Sequence, residues 1–123
     1  MSPSARNTVA WILQGLMGLA FIGAGGYGLL HASESAQNFV EMGLPGWFAY
    51  LIGAAEVLGG IGLLVPRTVR LAAAGLAVIM AGAVIMHATA IPGGMAKGTP
   101  ALLLLLALLV LQRLRRPAPA PVV

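Results

Sequence analysis

Residues 47–90 read WFAYLIGAAEVLGGIGLLVPRTVRLAAAGLAVIMAGAVIMHATA, and this stretch decides the fold. Two apolar runs, about 47–65 and 69–90, are separated by a short basic turn that begins at Pro66. Each run has about the length of a helix that crosses a hydrocarbon core roughly 30 Å thick. Pro66 ends the first helix because proline has no N–H to donate inside a helix. The stretch therefore predicts a tight antiparallel pair of membrane-spanning helices.

Two further apolar runs lie outside this pair, at about 8–30 and 99–114. The segment from His31 to Pro45 is polar and is long enough for a short surface helix. We predict an all-α fold, an integral membrane four-helix bundle formed by residues 1–116. The last span is Leu-rich but short for a full crossing. A Pro/Ala-rich tail at 117–123 is expected to be disordered.

The composition indicates lipid as the solvent of this chain. Its 123 residues are 59% hydrophobic and 8% charged, whereas soluble domains are about 25% charged. The chain has no cysteine, which excludes disulfides, thiolate metal sites and thiol redox chemistry within it. The net charge of +4 comes from short basic flanks without interleaved aromatic residues, so we expect no nucleic acid partner.

The basic residues also predict the orientation, because Lys and Arg concentrate in cytoplasmic loops. One side of the predicted bundle carries only Lys97, and the other carries Arg6, Arg67, Arg70, Arg113, Arg115 and Arg116. We therefore expect both the N-terminus and the C-terminus to be cytoplasmic. The expected location is the cell inner (cytoplasmic) membrane, as a multi-pass protein in contact with the lipid bilayer.

Glu56 is the most informative side chain, because it lies about nine residues into the second predicted span. A charged carboxylate at that depth costs several kcal/mol unless it is neutralised or partnered. An acid inside a membrane is by default a candidate for a functional site. The structural alternative is a protonated Glu56 that bonds another helix or a backbone carbonyl and only stabilises the bundle.

Two histidines lie near the non-cytoplasmic side of the predicted bundle. His87 is about one turn from the end of the third span, and His31 follows the first span. His87 is either an interfacial histidine bonded to the loop after Ala90 or part of a site with Glu56. We expect no metal site, because the three groups come from three helices without a local ligand spacing.

Three aromatic residues lie on the same side, namely Tyr27, Trp47 and Tyr50. They either form an interfacial belt or border a site for an aromatic or quinone-like ligand. No residue is assigned a certain catalytic role. The candidates for ligand binding or proton relay are Glu56, His87, His31, Tyr27, Tyr50 and Trp47.

Small residues at four-residue spacing predict flat faces where helices approach closely. The predicted faces are Ala20, Ala24 and Gly28, then Ala55 and Gly59, then Ala73, Ala77 and Ala81. Gln14 is expected to bond across helices, since an amide in lipid needs a partner.

The run GLPGWFAYLIGAAEVLGGIGLLVPR at 43–67, followed by 71–87, resembles the DoxX-like family of small membrane proteins. The matching features are Leu44-Pro45 followed by aromatic residues, Glu56, the turn that ends at Arg67, and His87. The resemblance implies a compact four-helix bundle. It also implies an association with quinone-linked oxidoreductases, including the membrane subunit of a thiosulfate:quinone oxidoreductase, or a role as an assembly or accessory factor.

The chain departs from the family at the end of the first helix. Many members carry Ser-Gly and then Lys-Leu there, whereas residues 24–29 read AGGYGL. A basic group is therefore missing. If that lysine pairs with the buried carboxylate or with a ligand anion, this chain uses His31 or His87 instead, or it has lost the activity.

Three functions remain open at this point. The first is a small membrane subunit associated with quinone-linked redox chemistry, with a buried Glu/His pocket and quinone as its non-covalent cofactor. Such a subunit is not a stand-alone enzyme and depends on another membrane protein or an oxidoreductase complex. The second is a structural accessory or assembly factor of a larger membrane complex. The third is a small transporter or proton path, which would need a homo-oligomer to enclose enough water.

Overall fold

The computed structural model describes residues 1–91 and 93–117, and every regular element in that part of the chain is a helix. The all-α prediction is confirmed. The predicted disordered tail lies outside the described residues except for Pro117. The helices are α1 (Pro3–Leu30), α2 (Ala32–Glu41), α3 (Phe48–Leu64), α4 (Val69–Thr89) and α5 (Gly94–Leu114).

Three of these helices, α1, α4 and α5, are long and apolar enough to cross a membrane. The helix α3 is also apolar but has 17 residues. The helix α5 starts at Gly94, five residues before the predicted start of the last span, so its 21 residues remove the expected shortage of length. These apolar helices indicate a multi-pass membrane protein in contact with the lipid bilayer.

Local sequence explains several helix ends. The Ser2 hydroxyl accepts a hydrogen bond from the Ala5 N–H at 3.1 Å and caps α1, with Pro3 at its first position. Gly93 precedes α5 with a φ of +94°, a backbone conformation that glycine adopts without a steric penalty. The polar segment after α1 contains the short helix α2, for which the segment was expected to be long enough.

Glycines bring α1 and α3 into backbone contact. A Cβ atom at Gly25 would lie 2.6 Å from the carbonyl oxygen of Gly53, and one at Gly60 would lie 2.7 Å from that of Gly18. Close approach of this kind maximises van der Waals packing between membrane helices. The two pairs, seven residues apart on each helix, form what we call the glycine seam.

The glycine seam differs from the predicted small-residue face of α1. Ala20 and Ala24 are exposed, and no neighbouring atom lies within 4 Å of a Cβ placed at Gly28. The predicted face was wrong because α1 turns its seven-residue glycine repeat toward α3, not its four-residue repeat. On the other two helices, Gly59 packs on Leu76 and Ala73 is fully buried.

A buried polar cluster ties α1, α3 and α5 together. Gln14 is fully buried, and its Nε2 donates to the carbonyl oxygen of Leu63 at 2.8 Å. Its Oε1 accepts from Arg115 Nε at 2.7 Å, while Arg115 Nη1 donates to Asn7 Oδ1 at 2.8 Å. The Arg115 guanidinium also lies 5.5 Å from the ring centroid of Trp11. The prediction that Gln14 bonds across helices is confirmed.

A second pair of bonds joins the start of α4 to the end of α5. Arg70 Nε donates to Gln112 Oε1 at 3.1 Å, and Gln112 Nε2 donates to the Arg70 carbonyl oxygen at 2.7 Å. Together with the Gln14 cluster, these bonds place the arginine-bearing helix ends side by side. We call this the arginine end of the bundle, and the end that carries His31 and Lys97 the opposite end.

The packed hydrophobic core lies in the half of the bundle nearer the arginine end. Its buried side chains come from α1, the end of α3, the part of α4 from Val69 to Met80 and the last turns of α5. They are Ala10, Met17, Phe21, Leu63, Val69, Ala73, Leu76, Met80, Leu108 and Leu111. The interior is thus closed at the arginine end.

Candidate functional site

A cavity of about 580 Å³ lies between α2, α3 and α4, in the half nearer the opposite end. Its size falls within the roughly 300–1,000 Å³ typical of small-molecule sites. The helices α3 and α4 touch near the arginine end, where a Cβ at Gly62 would lie 2.8 Å from that of Ala72. Toward the opposite end, α3 presents Ile52 and Glu56 to the cavity instead of packing them on α4.

Glu56 reaches the cavity from α3 and is neither fully buried nor exposed. Behind it lies the glycine seam, where a Cβ at Gly25 would be 2.9 Å from the Cβ of Glu56 and 2.9 Å from the Val57 nitrogen. No side chain larger than hydrogen fits there without a shift of backbone atoms. Gly25 therefore sets how closely α1 supports the wall that carries Glu56.

His87 reaches the same cavity from α4. Its Nδ1 lies 2.9 Å from the carbonyl oxygen of Ala83. Because a carbonyl oxygen only accepts, Nδ1 carries the hydrogen, and Nε2 of the neutral ring remains an acceptor. The helix α5 backs His87 closely, since a Cβ at Gly98 would lie 2.7 Å from the Cβ of His87.

Among the residues that line the cavity, Glu56 and His87 are the two ionisable ones. They come from different walls, and each is backed by a glycine of an outer helix, Gly25 on α1 and Gly98 on α5. The other lining residues are apolar or aromatic. The arrangement can bind an apolar molecule that carries polar groups, with a carboxyl on one wall and an imidazole on another to bond those groups.

The structure places the other four candidate residues outside the cavity. The exposed His31 stacks on Tyr27 with ring centroids 4.1 Å apart, and its Nδ1 lies 2.9 Å from the Tyr27 carbonyl oxygen. Trp47 is exposed and stacks on Phe48 at 4.7 Å, and Tyr50 is exposed as well. Their positions at the opposite end fit an interfacial belt of aromatic residues.

The part of the cavity that α2 supplies was not predicted from the sequence. Phe39 on α2, with Met42 and Leu44 in the turn that follows, lines the cavity. The signal for Phe39 and Met42 was their three-residue spacing within an otherwise polar segment, which places them on one helical face. The role of Gly98 behind His87 has no signal in the sequence, because it depends on how α5 packs on α4.

Within residues 1–91 and 93–117, no group of three or more His, Cys, Asp or Glu side chains lies close enough to hold a metal ion.

The fold and the cavity together define a small multi-helix membrane protein with an apolar site that contains a carboxyl and an imidazole. A family model described as the DoxX-like family matches residues 12–111, and the chain belongs to that family. The match confirms the resemblance carried by residues 43–67 and 71–87. Comparisons with the curated proteins and with the solved structures found no match.

Proposed function

We propose that α1, α3, α4 and α5 all cross the bilayer, with the arginine end in the cytoplasm. The 17 residues of α3 span about 26 Å, and helices of about 17–25 residues are long enough to cross. The side that carries six arginines faces the cytoplasm under the positive-inside rule. Both termini are then cytoplasmic, the membrane is the cell inner membrane, and α2 lies at the outer surface.

We propose that the chain is a small membrane subunit associated with quinone-linked redox chemistry, and that the cavity binds a quinone. The observation that carries the proposal is that Glu56 and His87 both line one otherwise apolar cavity of about 580 Å³. The apolar walls fit a quinone ring and its tail, and the two polar groups fit the ring oxygens. The family resemblance to quinone-linked systems points the same way.

A bound quinone supplies two-electron, two-proton redox chemistry, and the chain supplies the groups that hold and exchange protons. A protonated Glu56 can donate its O–H to a ring carbonyl oxygen. The free Nε2 of His87 can accept a hydrogen bond from a ring hydroxyl of the reduced form. Electrons are expected to come from a partner oxidoreductase, so the chain acts as a subunit and not alone.

An accessory or assembly role is the second candidate, and the outer face of α1 favours it. Gly15 and Gly23 leave open space on that face, where no neighbouring atom lies within 4 Å of an added Cβ. A helix of another membrane protein would fit closely against such positions. In this role Glu56 would only stabilise the bundle, and its replacement by a residue of similar size would leave the function intact.

Mass spectrometry of the protein purified from its native membrane in mild detergent separates the two candidates. Both the partner proteins and the lipid-soluble small molecules are recorded for the wild type, for Glu56→Leu and for the control Glu34→Leu, which alters an exposed residue of α2. We expect a quinone with the wild type and the control. Loss of one or two hydrogen bonds should lower the quinone content of Glu56→Leu about tenfold.

Two results would contradict the redox proposal. One is a wild-type protein with stoichiometric partners but no quinone. The other is a quinone content that Glu56→Leu leaves unchanged. Either result, combined with intact partner binding by Glu56→Leu, supports the accessory role instead.

A further inference from the structure

The cavity is covered at the opposite end of the bundle by α2 and the turn after it. Phe39, Met42 and Leu44 line the cavity from this side. The turn is closed by a bond within the segment, since the Leu44 N–H donates to the Phe39 carbonyl oxygen at 2.9 Å. On the side of α1, the Ser35 hydroxyl donates to the Gly28 carbonyl oxygen at 3.4 Å. We call the segment from Phe39 to Leu44 the roof.

The cavity is open on one side of α4. Val78, Gly82 and Ile85 line it and are exposed, with 73% of Val78 and 60% of Ile85 accessible. Their spacing of four and three residues places them on one face of the helix. We call these three residues the mouth. The mouth extends about 10 Å along α4, from its tenth residue toward its end at the roof.

The depth of the mouth determines which solvent reaches it. If α4 crosses the bilayer, its tenth residue of 21 lies near the membrane midplane. The mouth then faces the hydrocarbon of the outer leaflet, while the roof separates the cavity from the aqueous surface. Exposed valine and isoleucine side chains are favourable at this depth because the solvent there is hydrocarbon. Water is excluded from the same region.

We infer that the cavity takes its ligand sideways from the outer leaflet, through the mouth on α4, and not from the water above the roof. The ligand class is a membrane-dissolved molecule with a polar ring and a long apolar tail. The ring lies beside Glu56 and His87, and the tail leaves past Val78 and Gly82 into the lipid. The ligand class and the choice of the outer leaflet rest on the proposed function, whereas the sideways route rests on the roof, the mouth and the passage of α4 through the bilayer.

The absence of cysteine from the sequence allows the route to be tested by single-cysteine labelling in lipid nanodiscs. Ala83→Cys places a small thiol in the cavity wall. Its reaction rate is measured with a charged, water-soluble maleimide and with a lipid-soluble maleimide. The ratio of the two rates is compared, because the thiolate fraction affects both reactions equally and cancels.

Two control positions calibrate this ratio. Ser33→Cys, exposed on α2, reports access from water, and Ala74→Cys, exposed on α4 but not part of the cavity lining, reports access from lipid. We expect Ala83→Cys to behave like Ala74→Cys. Its ratio of water-soluble to lipid-soluble labelling should be at least about tenfold below that of Ser33→Cys, because a charged reagent enters hydrocarbon poorly. A ratio equal to that of Ser33→Cys would overturn the inferred route.

A plug at the mouth gives a second, matched test. Gly82 and Gly75 lie seven residues apart on α4, and no atom lies within 4 Å of a Cβ at either position, but only Gly82 lines the cavity. In the Ala83→Cys background, Gly82→Phe should slow lipid-soluble labelling about tenfold. Gly75→Phe should leave the rate unchanged. Equal rates in both variants would mean that the mouth is not the entrance.

These tests contain no quinone, so their failure is distinct from failure of the proposed function. Lipid-side labelling that Gly82→Phe blocks supports the route even where purified protein carries no quinone. Water-side labelling overturns the route even where quinone binding depends on Glu56.

Discussion

The two ends of the bundle treat buried polar groups in opposite ways. At the arginine end, Gln14 is fully buried with its amide bonded to the Leu63 carbonyl oxygen and to Arg115. Toward the opposite end, Glu56 faces a cavity. A buried amide whose bonds are all made within the protein stabilises the fold. A carboxyl that faces open space can instead exchange its bonds with a ligand, which is what the proposed function requires of Glu56.

Glycine shows the same contrast between the two sides of the bundle. Gly25 and Gly60 bring α1 and α3 into backbone contact, whereas Gly75 and Gly82 leave open space on α4. All four lie in seven-residue repeats. A glycine repeat therefore does not by itself identify a helix interface, and the neighbouring helix decides whether the position is filled.

The largest expected effect comes from breaking the glycine seam. Gly25→Leu would place its Cβ against backbone atoms of α3, the nearest at 2.6 Å. Overpacking against backbone is not relieved by rotating a side chain, so we expect a loss of several kcal/mol and little folded protein. The control is Gly23→Leu, where no atom lies within 4 Å of the Cβ.

The free energy of unfolding is measured in mixed micelles, with circular dichroism as the signal for unfolding. We expect Gly23→Leu to unfold within about 1 kcal/mol of the wild type. Similar destabilisation of both variants would show that the seam is looser than described.

The next largest effect concerns the two Gln–Arg pairs at the arginine end. Gln14→Leu leaves the Leu63 carbonyl oxygen and the Arg115 guanidinium without their buried partner, which should cost about 1–3 kcal/mol. Gln112→Leu removes a less buried pair with Arg70 and should cost less than about 1 kcal/mol. Unfolding of both variants in the same micelles measures the difference. A larger loss of unfolding free energy in Gln112→Leu would mean that the bonds between α5 and α4 stabilise the bundle more than the bonds of Gln14 do.

A smaller effect is expected at Gly98, which changes the cavity without opening the core. An added methyl group would press on the Cβ of His87 at 2.7 Å and shift the imidazole. We expect Gly98→Ala to weaken binding of an added quinone about threefold to tenfold, measured by titration in nanodiscs. Gly75→Ala, at an open position outside the cavity lining, is the control and should bind as the wild type does. Equal affinities for Gly98→Ala and the wild type would argue against a role for the imidazole position.

The smallest effect is expected for the outer aromatic residues. Tyr27→Phe and Tyr50→Phe each remove a hydroxyl outside the cavity, where both side chains are exposed. The quinone affinity should stay within about twofold of the wild-type value, since no cavity contact is lost. A larger change in the same titration would extend the site toward the aromatic belt.

The fold was largely predictable because long apolar runs and a basic turn directly specify membrane helices. Glu56 and His87 were predictable as candidates, since an ionisable group within an apolar run has few neutral explanations. The face of α1 that packs on α3 was not predictable. Both four-residue and seven-residue repeats of small residues are present in α1, and the choice between them depends on the neighbouring helix.

The cavity itself could not be predicted from the sequence either. Residues of α2 that lie in a polar segment, such as Phe39, contribute to it only because the chain folds back over α3. The separation of α3 from α4 near Ile52 depends on how two helices diverge, which no single helix encodes.

The cluster around Gln14 and Arg115 joins two pairs of helices at one end of the bundle. The helix α1 packs most extensively on α3, and α4 packs most extensively on α5. The hydrogen bond between Arg115 and Gln14 joins the two pairs at the arginine end. Gly25 lies about 16 Å from Gln14 along α1. A rotation of one helix pair relative to the other by roughly 4° about this cluster displaces the wall that carries Glu56 by roughly 1 Å. The core near the cluster hardly moves. The width of the cavity is therefore the dimension that such a rotation changes most.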